Sequence, residues 1–439
     1  MRLDFSDGKK SKKDRQKSGQ YYTPEDLISL LGNALLGNFD AGDIAHIKVL
    51  DPACGTGNFL QWFKGQGVKE ENLYGIEIEK EAALKAGIYL PKAHIVCANA
   101  LRMDWRALFA PDAFTLVVGN PPFRGQNSLS KQQAEDMEEI FGLHKRGWAD
   151  YSAAWFLKAA SFLSGSSGRF GFISPSSLTK GSNVYPLWRP LLNNGWHIEF
   201  GKDGLKWKQP GADVAVNAIC LTQSPVENPI SPHSLLLLPP VLVKPENEPK
   251  NGLPPLYAGK RETKGRINAY QFIHGLRSKN YRFLWLPRHF SEKREYFLAG
   301  GAIEKKECTN ALFWCEDDVG FAFSVAESLM FMAWQRAIGG RLTTSLRLSN
   351  LVWNTFPLSH LTDGRKKELI EAGERIKAVR DVLPGSLADI YRPGHIPPKL
   401  KEAHNRLDAI MDSIFSLLPF EGELDRQRCL INHYKAMQD

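Results

Sequence analysis

The chain contains 439 residues and carries a formal net charge of +8, with 56 lysines and arginines against 48 aspartates and glutamates. A chain of this length exceeds what one hydrophobic core usually supports, so we expect two or three domains. Hydrophobic residues make up 43% of the chain and charged residues 24%, which is typical of folded globular proteins and excludes disorder throughout. The basic balance favours a polyanionic partner, although many basic proteins bind none.

No apolar run approaches the roughly 20 residues that span a bilayer, and the N-terminus is polar and basic. We therefore expect a cytoplasmic protein that is monomeric and has no membrane partner. The six cysteines are scattered, with no Cys-x-x-Cys pair and no histidine at zinc-finger spacing. We interpret them as reduced thiols and predict no metal site.

Residues 1–19 form a lysine-rich head, which we interpret as a solvated tail that can also contact nucleic acid. Residues 20–222 alternate short β-branched or aromatic runs with longer helical stretches, which predicts an α/β fold with a Rossmann-like, doubly wound parallel sheet. Ligands bind such sheets at the carboxyl ends of the strands. The predicted strands are Ile47–Leu50, Leu73–Glu77, His94–Cys97, Phe114–Val118, Arg169–Ile173 and Val214–Leu221.

The rest of the chain divides by composition into three segments. Residues 223–256 are rich in Pro and Asn and mark a linker. Residues 257–361 are dense in basic and aromatic residues, which favours a mixed α/β recognition domain, and residues 362–439 are helical, with predicted helices at 365–382 and 398–417. One apolar stripe of the second helix predicts packing; it comprises Leu407, Ile410, Met411, Ile414 and Leu417.

Three motifs at predicted strand ends indicate a nucleotide-like cofactor. The glycines of Asp51-Pro-Ala-Cys-Gly-Thr-Gly57 let the backbone pass close beneath a ligand, although an ordinary α/β turn also explains them. Glu77 can accept hydrogen bonds from ribose hydroxyls, or be an ordinary strand-end residue. Asn99 can bind an adenine edge, or form a local turn. The predicted cofactor contacts here are Asp51, Pro52, Ala53, Gly55, Gly57, Phe59, Glu77, Ile78, Asn99 and Ala100.

A rigid tetrapeptide, Asn120-Pro-Pro-Phe123, ends the fourth predicted strand. The lone pair of an adenine N6 amine is delocalised into the ring, so acceptors must draw on its hydrogens; the Asn120 side-chain oxygen and the Pro121 carbonyl can do this. Phe123 offers a flat face to a base flipped out of its helix. We predict Asn120, Pro121, Pro122 and Phe123 as catalytic, with a purely structural turn as the alternative.

This motif order resembles that of the N6-adenine DNA methyltransferases of the gamma arrangement, in which a segment like Gly19-Gln-Tyr-Tyr-Thr-Pro24 precedes the glycine loop. The resemblance implies S-adenosylmethionine as cofactor, with Tyr22, Thr23 and Pro24 closing over its methionine end. It also implies double-stranded DNA as the partner and methyl transfer to N6 of a flipped-out adenine.

More narrowly, residues 19–417 are similar to the methyltransferase and specificity portion of the MmeI-like (type IIL) restriction-modification enzymes. The similar stretches are 150–155, 334–342, 354–357 and 386–393, together with Ala403-His404. Fewer than twenty residues precede Gly19, too few for the nuclease domain of that family. We therefore expect modification without cutting, with any nuclease or defence-complex partner on a separate chain.

Two other functions stay open. One is a DNA-binding subunit of a defence complex that keeps the methyltransferase fold and needs a partner. The other is a protein-glutamine methyltransferase, whose similar turn usually ends in Tyr.

The interleaving of basic side chains with aromatics such as Phe283 and Trp285 is typical of a groove-reading surface. Against plain surface charge or a buried turn, we predict DNA contacts at Arg277, Arg282, Arg341 and Arg347.

Overall fold

The computed structural model describes residues 23–37, 39–142, 149–179, 184–206, 215–224, 251–259, 269–274, 282–302, 308–342, 345–359 and 361–437. They form two compact units, with the division between residues 241 and 242. The predicted basic head, Tyr22 and Arg277 lie outside the described residues. Within this described part, no helix is long and apolar enough to cross a membrane, and no group of potential ligands could hold a metal ion.

The first unit is built around one large sheet. Its strands are β1 (Lys48–Asp51), β2 (Leu73–Glu77), β3 (His94–Cys97), β4 (Thr115–Gly119), β5 (Arg169–Pro175), β6 (His197–Lys206) and β7 (Ala215–Thr222). They lie in the order β3-β2-β1-β4-β5-β7-β6, and β1 to β5 pair in parallel while β7 pairs antiparallel with β5 and β6. The predicted Rossmann-like sheet is confirmed, and β6 is a strand that the sequence analysis missed.

Helices cover both faces of this sheet because successive apolar side chains of its strands point to opposite faces. The helices are α1 (Glu25–Leu36), α2 (Asn58–Gly65), α3 (Lys80–Tyr89), α4 (Lys131–Phe141), α5 (Ala153–Leu163) and α6 (Val184–Asn193). Val49, Leu116 and Val118 belong to the core that also contains residues of α1, α2 and α3. Leu50 and Val117 belong to the opposite core, with residues of α4, α5 and α6.

The second unit combines two small sheets with helices, as predicted for the recognition domain and the helical C-terminal region. Its strands are β8 (Tyr257–Ala258), β9 (Phe283–Pro287), β10 (His289–Ser291), β11 (Gly300–Ala302), β12 (Leu312–Glu316), β13 (Gly340–Leu342) and β14 (Ser345–Arg347). They form a four-stranded sheet, β11-β9-β12-β8, and a three-stranded sheet, β10-β14-β13. The helices are α7 (Ala269–His274), α8 (Phe321–Ala326), α9 (Leu329–Ile338), α10 (Asn350–Asn354), α11 (Asp363–Val382), α12 (Leu387–Ile390), α13 (Pro398–Phe415) and α14 (Glu423–Ala436).

One sequence prediction for the second unit is wrong, and another fails only at its last residue. The predicted packing stripe of α13 is confirmed for the buried Leu407 and Met411 and for Ile410 and Ile414, which pack against the same core. Leu417 is fully exposed because the helix ends at Phe415 and the chain then becomes extended. Phe283 and Trp285 do not form a groove-reading surface, since both are buried side chains of β9. One hydrophobic core runs from residue 253 to 434, across the boundary predicted at residue 361.

Candidate cofactor and catalytic site

Four predicted functional segments follow four neighbouring parallel strands of the first unit. The glycine loop follows β1, Glu77 ends β2, Asn99 follows β3 and Asn120 follows β4. Because these strands run in parallel, their carboxyl ends meet at one edge of the sheet. The strand order reverses between β1 and β4, which is where a doubly wound sheet leaves a crevice for a ligand.

The glycine loop is tied to the end of β2 through Glu77. Gly55 donates its backbone N–H to Glu77 Oε2 at 2.8 Å, and Glu77 Oε1 accepts the N–H of Glu79 at 2.8 Å. Burial raises the pKa of Glu77 despite these hydrogen bonds. Gly55 has a φ of +55°, and a Cβ there would meet nothing within 4 Å beyond its chain neighbours. The loop therefore borders open space, which fits a bound ligand.

Asp51 contacts the glycine loop through the backbone of Ala53. It is 1% exposed, and its Oδ1 accepts the backbone N–H of Ala53 at 3.0 Å. Burial raises the pKa of Asp51 to about 8; the Ala53 hydrogen bond opposes this shift, and the charge of Glu77 adds to it. A Cβ on Gly119 would lie 2.6 Å from Asp51 Oδ1, so the absence of a side chain lets β4 end against this carboxyl.

Asn99 is held by two hydrogen bonds within the protein. Its Nδ2 donates to Asp136 Oδ2 at 3.1 Å, and its Oδ1 accepts the N–H of Leu101 at 3.0 Å. Asp136 is 1% exposed and also accepts from Arg102 Nε at 2.6 Å and from the Tyr151 hydroxyl at 2.9 Å. Burial acts to raise the pKa of Asp136, but these hydrogen bonds outweigh it and hold the pKa below its usual value. Asn99 thus forms a local turn, and its contact with adenine stays a prediction.

The segment after β4 buries several polar atoms without a partner. Asn120 donates its Nδ2 to the Thr23 hydroxyl oxygen at 3.0 Å, while its Oδ1 has no hydrogen-bond partner among the described residues. Arg124 Nε and Gln126 Oε1 are shielded from solvent and equally unpartnered within that part of the chain. Such a group costs about 1–3 kcal/mol unless something satisfies it, and native proteins keep few of them. Sequence reasoning missed Arg124 and Gln126, because no motif spacing distinguishes them.

Asp150 anchors this segment. Its Oδ1 accepts from the backbone N–H and the hydroxyl of Ser152, at 3.0 and 2.7 Å, and from the backbone N–H of Arg124 at 3.4 Å. Tyr151 donates its backbone N–H to the Arg124 carbonyl at 2.9 Å. Burial raises the pKa of Asp150 to about 6. The stretch 150–155 noted in the sequence therefore holds the segment that follows the Asn-Pro-Pro-Phe motif.

The remaining predicted site residues lie around this edge with different exposures. Phe59 and Ala100 bury their side chains in the two cores. Ile78 is 64% exposed, and Phe123 is half-buried against the core that contains α1 to α3. Pro52, Gly57 and Pro121 are buried, and Pro24, Ala53 and Pro122 are half-buried. Their roles stay predictions.

Two arginines and a histidine lie together on the three-stranded sheet of the second unit. His289 and Arg347 face each other across the antiparallel pair β10–β14, and Arg288 precedes His289. Burial, and then the neighbouring positive charge, lowers the pKa values of Arg288 and His289. Arg347 is exposed, and no ion pair within the described ranges involves these three side chains. Sequence reasoning predicted Arg347 as a DNA contact and counted Arg288 among the basic side chains of this region, but it missed His289 and the proximity of the three residues.

The other predicted DNA contacts have different surroundings. Arg282 is exposed and lies 3.4 Å from the Asp318 carboxylate. The backbone of Arg341 pairs with Leu346 between β13 and β14, and its side chain is outside the described atoms. Gln335 Nε2 donates to the Arg347 carbonyl at 3.1 Å. The similar stretch 334–342 therefore helps to fix the strand that presents Arg347.

Comparison with known proteins finds the same order of domains and a similar fold. Three family profiles match: "MmeI, DNA-methyltransferase domain" over residues 76–229, "MmeI, target recognition domain" over 258–360 and "MmeI, C-terminal domain" over 361–439. The fold is similar to that of the type IIL restriction-modification enzyme MmeI solved in complex with DNA, with a TM-score of 0.82 and 21% identity, covering 97% of this chain and 80% of that one.

Two curated relatives are similar in sequence. DNA methyltransferase A of Bacillus subtilis strain 168 is 26% identical, over 90% of this chain and 62% of its own length. The type II methyltransferase M.VspI of Vibrio sp. strain 343 is 26% identical, over 45% of this chain and 48% of its own. The chain thus spans less than two thirds of the length of each. The profiles follow one another in a single order over most of the chain, and the chain therefore belongs to the MmeI-like family of DNA methyltransferases.

Proposed function

We propose that this protein transfers a methyl group from S-adenosylmethionine to N6 of a flipped-out adenine within a specific sequence of double-stranded DNA. The observation that carries the proposal is the Oδ1 of Asn120 at the carboxyl end of β4, which is buried and has no hydrogen-bond partner among the described residues. An acceptor left open in this way matches an amine, which brings two hydrogens to donate. Family membership supports the DNA substrate, and the sequence Asn-Pro-Pro-Phe supports the choice of adenine N6.

The edge of the sheet fits S-adenosylmethionine. The open space beside Gly55 leaves room for the cofactor. The Glu77 carboxylate offers about four acceptor positions, of which the backbone N–H groups of Gly55, Ile78 and Glu79 use three. We expect Glu77 to hold the ribose hydroxyls and the exposed Ile78 to pack on the adenine ring. When bound, the cofactor supplies an electrophilic methyl group.

The residues after β4 act on the target amine. We expect Asn120 Oδ1 and the Pro121 carbonyl to accept the two amine hydrogens, which returns electron density to the nitrogen and makes it nucleophilic. Two successive prolines keep these acceptors fixed, so little reorganisation accompanies the reaction. Phe123 gives the flipped base a face on which to stack. The transfer is then a direct displacement that needs no covalent enzyme intermediate.

Sequence-specific binding is assigned to the second unit. Its exposed Arg347 lies near Arg288, and these two neighbouring positive charges suit DNA phosphates or guanine edges. The MmeI structure was solved in complex with DNA, and by analogy we propose double-stranded DNA as the partner of this chain.

The test of the catalytic assignment is Asn120→Ala. We expect the rate of methyl transfer to DNA to fall by about 10²- to 10³-fold or more, as when a preorganised polar group is removed from an active site. The affinity for S-adenosylmethionine should stay close to that of the wild type. Asn72→Ala is the matched control, since it removes an amide that donates to the Ala45 carbonyl in the same unit.

Labelled S-adenosylmethionine, unmethylated genomic DNA and a mixture of proteins give the readout. N6-methyladenine in the DNA is expected. Label that enters glutamine side chains and never DNA would establish the protein-methylating alternative instead. Equal loss of cofactor binding and transfer in Asn120→Ala would make Asn120 a structural residue.

A further inference from the structure

The Asn120 amide is held at its nitrogen end and left open at its oxygen end. Thr23, the second residue before α1, accepts the hydrogen bond from Asn120 Nδ2 across 97 residues of sequence. The other end, Oδ1, is shielded from solvent and has no partner within the described part of the chain. One hydroxyl thus contacts the end of the amide that the proposed chemistry does not use.

Orientation decides whether this amide can act. The oxygen and nitrogen ends of an asparagine side chain have nearly the same shape, so hydrogen bonding determines which end faces which neighbour. An oxygen directed at the target amine accepts one of its hydrogens. A nitrogen in that place would offer a second donor and draw nothing from the amine.

We propose that Thr23 is a positioning residue, which keeps Asn120 Oδ1 as the open acceptor by receiving the hydrogen bond of Asn120 Nδ2. This role rests on the proposed function. It differs from the role that family resemblance implies for Thr23, which is to close over the methionine end of the cofactor. The two roles have different kinetic signatures: loss of a positioning residue lowers the rate of transfer, whereas loss of a cofactor contact weakens cofactor binding.

The test compares Thr23→Val, which keeps the shape and removes the hydroxyl, with Thr23→Ser, which keeps the hydroxyl. Single-turnover methyl transfer to DNA and the dissociation constant of S-adenosylmethionine are measured separately. Thr23→Val should lower the rate constant for transfer about tenfold, the size expected when one hydrogen bond is lost. Cofactor affinity should stay within about twofold, and Thr23→Ser should restore most of the rate.

Ser29→Ala is the matched control. It removes another hydroxyl, which accepts a hydrogen bond from Trp62 Nε1 at 3.1 Å, and Ser29 belongs to α1, the helix that begins two residues after Thr23. Its rate of transfer should equal that of the wild type. A slow Ser29→Ala would mean that disturbance of α1, and not the Asn120 contact, explains the Thr23→Val result.

Three further results would overturn the inference. Unchanged transfer by Thr23→Val would show that the contact does not orient Asn120. Weakened cofactor binding with an unchanged rate constant would assign Thr23 to the cofactor. An equal loss of rate in Thr23→Ser and Thr23→Val would exclude the hydroxyl as the cause. A wild-type chain that binds S-adenosylmethionine but forms no N6-methyladenine would instead refute the proposed function, and with it this role.

Discussion

Two groups of buried polar side chains, one in each unit, differ in whether the described part of the protein satisfies them. In the first unit, Asn120, Arg124 and Gln126 each bury a polar atom that has no partner in the described structure. In the second unit, the buried side chains of Glu327 and Arg380 are paired with each other. A buried group left open costs free energy unless a ligand satisfies it, whereas a closed group serves the fold. We therefore interpret the three atoms after β4 as groups open to a ligand and the Glu327–Arg380 pair as part of the fold.

The closed cluster of the second unit joins four side chains. The Tyr391 hydroxyl forms a hydrogen bond with His404 Nε2 at 2.6 Å and accepts another from Arg380 Nε at 2.8 Å. Glu327 Oε1 accepts the backbone N–H of Ala299 at 2.7 Å. Burial and the charge of Arg380 lower the pKa of His404 well below its usual value, so His404 is neutral. The similar stretch 386–393 and the Ala403-His404 pair therefore contribute a packed polar centre.

The largest effect expected from this comparison follows from opening the closed cluster. Arg380→Met removes the cation and leaves the Glu327 carboxyl buried without it, which should lower the free energy of unfolding by about 3–5 kcal/mol. Urea unfolding of the full chain, followed by tryptophan fluorescence, measures this. Arg365→Met is the control on the same helix, because its exposed pair with Glu368 should contribute less than about 1 kcal/mol.

The open site is expected to contribute little to the free energy of unfolding. Asn120→Ala removes a buried oxygen without a partner and one hydrogen bond, so it should change the free energy of unfolding by no more than about 1 kcal/mol. If Arg380→Met cost no more than Arg365→Met, or Asn120→Ala cost as much as Arg380→Met, the distinction between open and closed polar groups would fail.

The sequence predicted the sheet well because β1 to β5 are short runs rich in β-branched or aromatic residues, and longer helical stretches separate them. It missed β6, whose run of Gly, Asp and Lys residues lies at the sheet edge and whose register against β7 shifts twice. The motifs at the strand ends were recognisable because the glycines, the carboxylate and the Asn-Pro-Pro-Phe segment each stand at a characteristic place at or after a strand end. The sequence could not predict the contact between Thr23 and Asn120, since that contact depends on how α1 packs. Aromatic composition also could not tell that Trp285 is buried.

A smaller effect is expected from pH, through a second buried carboxyl of the second unit. Asp408 is 5% exposed; its Oδ2 accepts the Tyr296 hydroxyl at 2.8 Å and its Oδ1 accepts the Leu329 N–H at 2.8 Å. Burial raises the pKa of Asp408 to about 7; the two hydrogen bonds and Arg426 oppose this shift, and Asp412 adds to it.

The sign of the pH effect follows from proton binding. An unfolded Asp has a pKa of about 3.9, so the folded state binds the proton more tightly. The stability from this group is complete below about pH 4 and is lost as the pH rises through about 7. The urea midpoint of the wild type should therefore fall more between about pH 5 and pH 8 than that of Asp408→Asn. Identical slopes for the two proteins would exclude Asp408 as the titrating group.

The smallest effect is expected at Arg347, an exposed arginine of the second unit that has no ion pair among the described residues. Arg347→Gln should weaken DNA binding about three- to tenfold, similarly for all sequences, and reduce the slope of log affinity against log salt by about one, if Arg347 contacts a phosphate. Fluorescence anisotropy with labelled duplexes between about 50 and 200 mM salt measures both quantities.

Arg428→Gln is the control for this measurement, since the Arg428 guanidinium lies 3.7 Å from Asp425 on α14. A loss confined to one target sequence would make Arg347 a base-reading residue, and a loss no larger than that of Arg428→Gln would exclude Arg347 from the DNA interface. In that case an exposed arginine without an ion pair among the described residues would not identify a DNA-binding surface. Only the buried polar atoms after β4 would then indicate a ligand site.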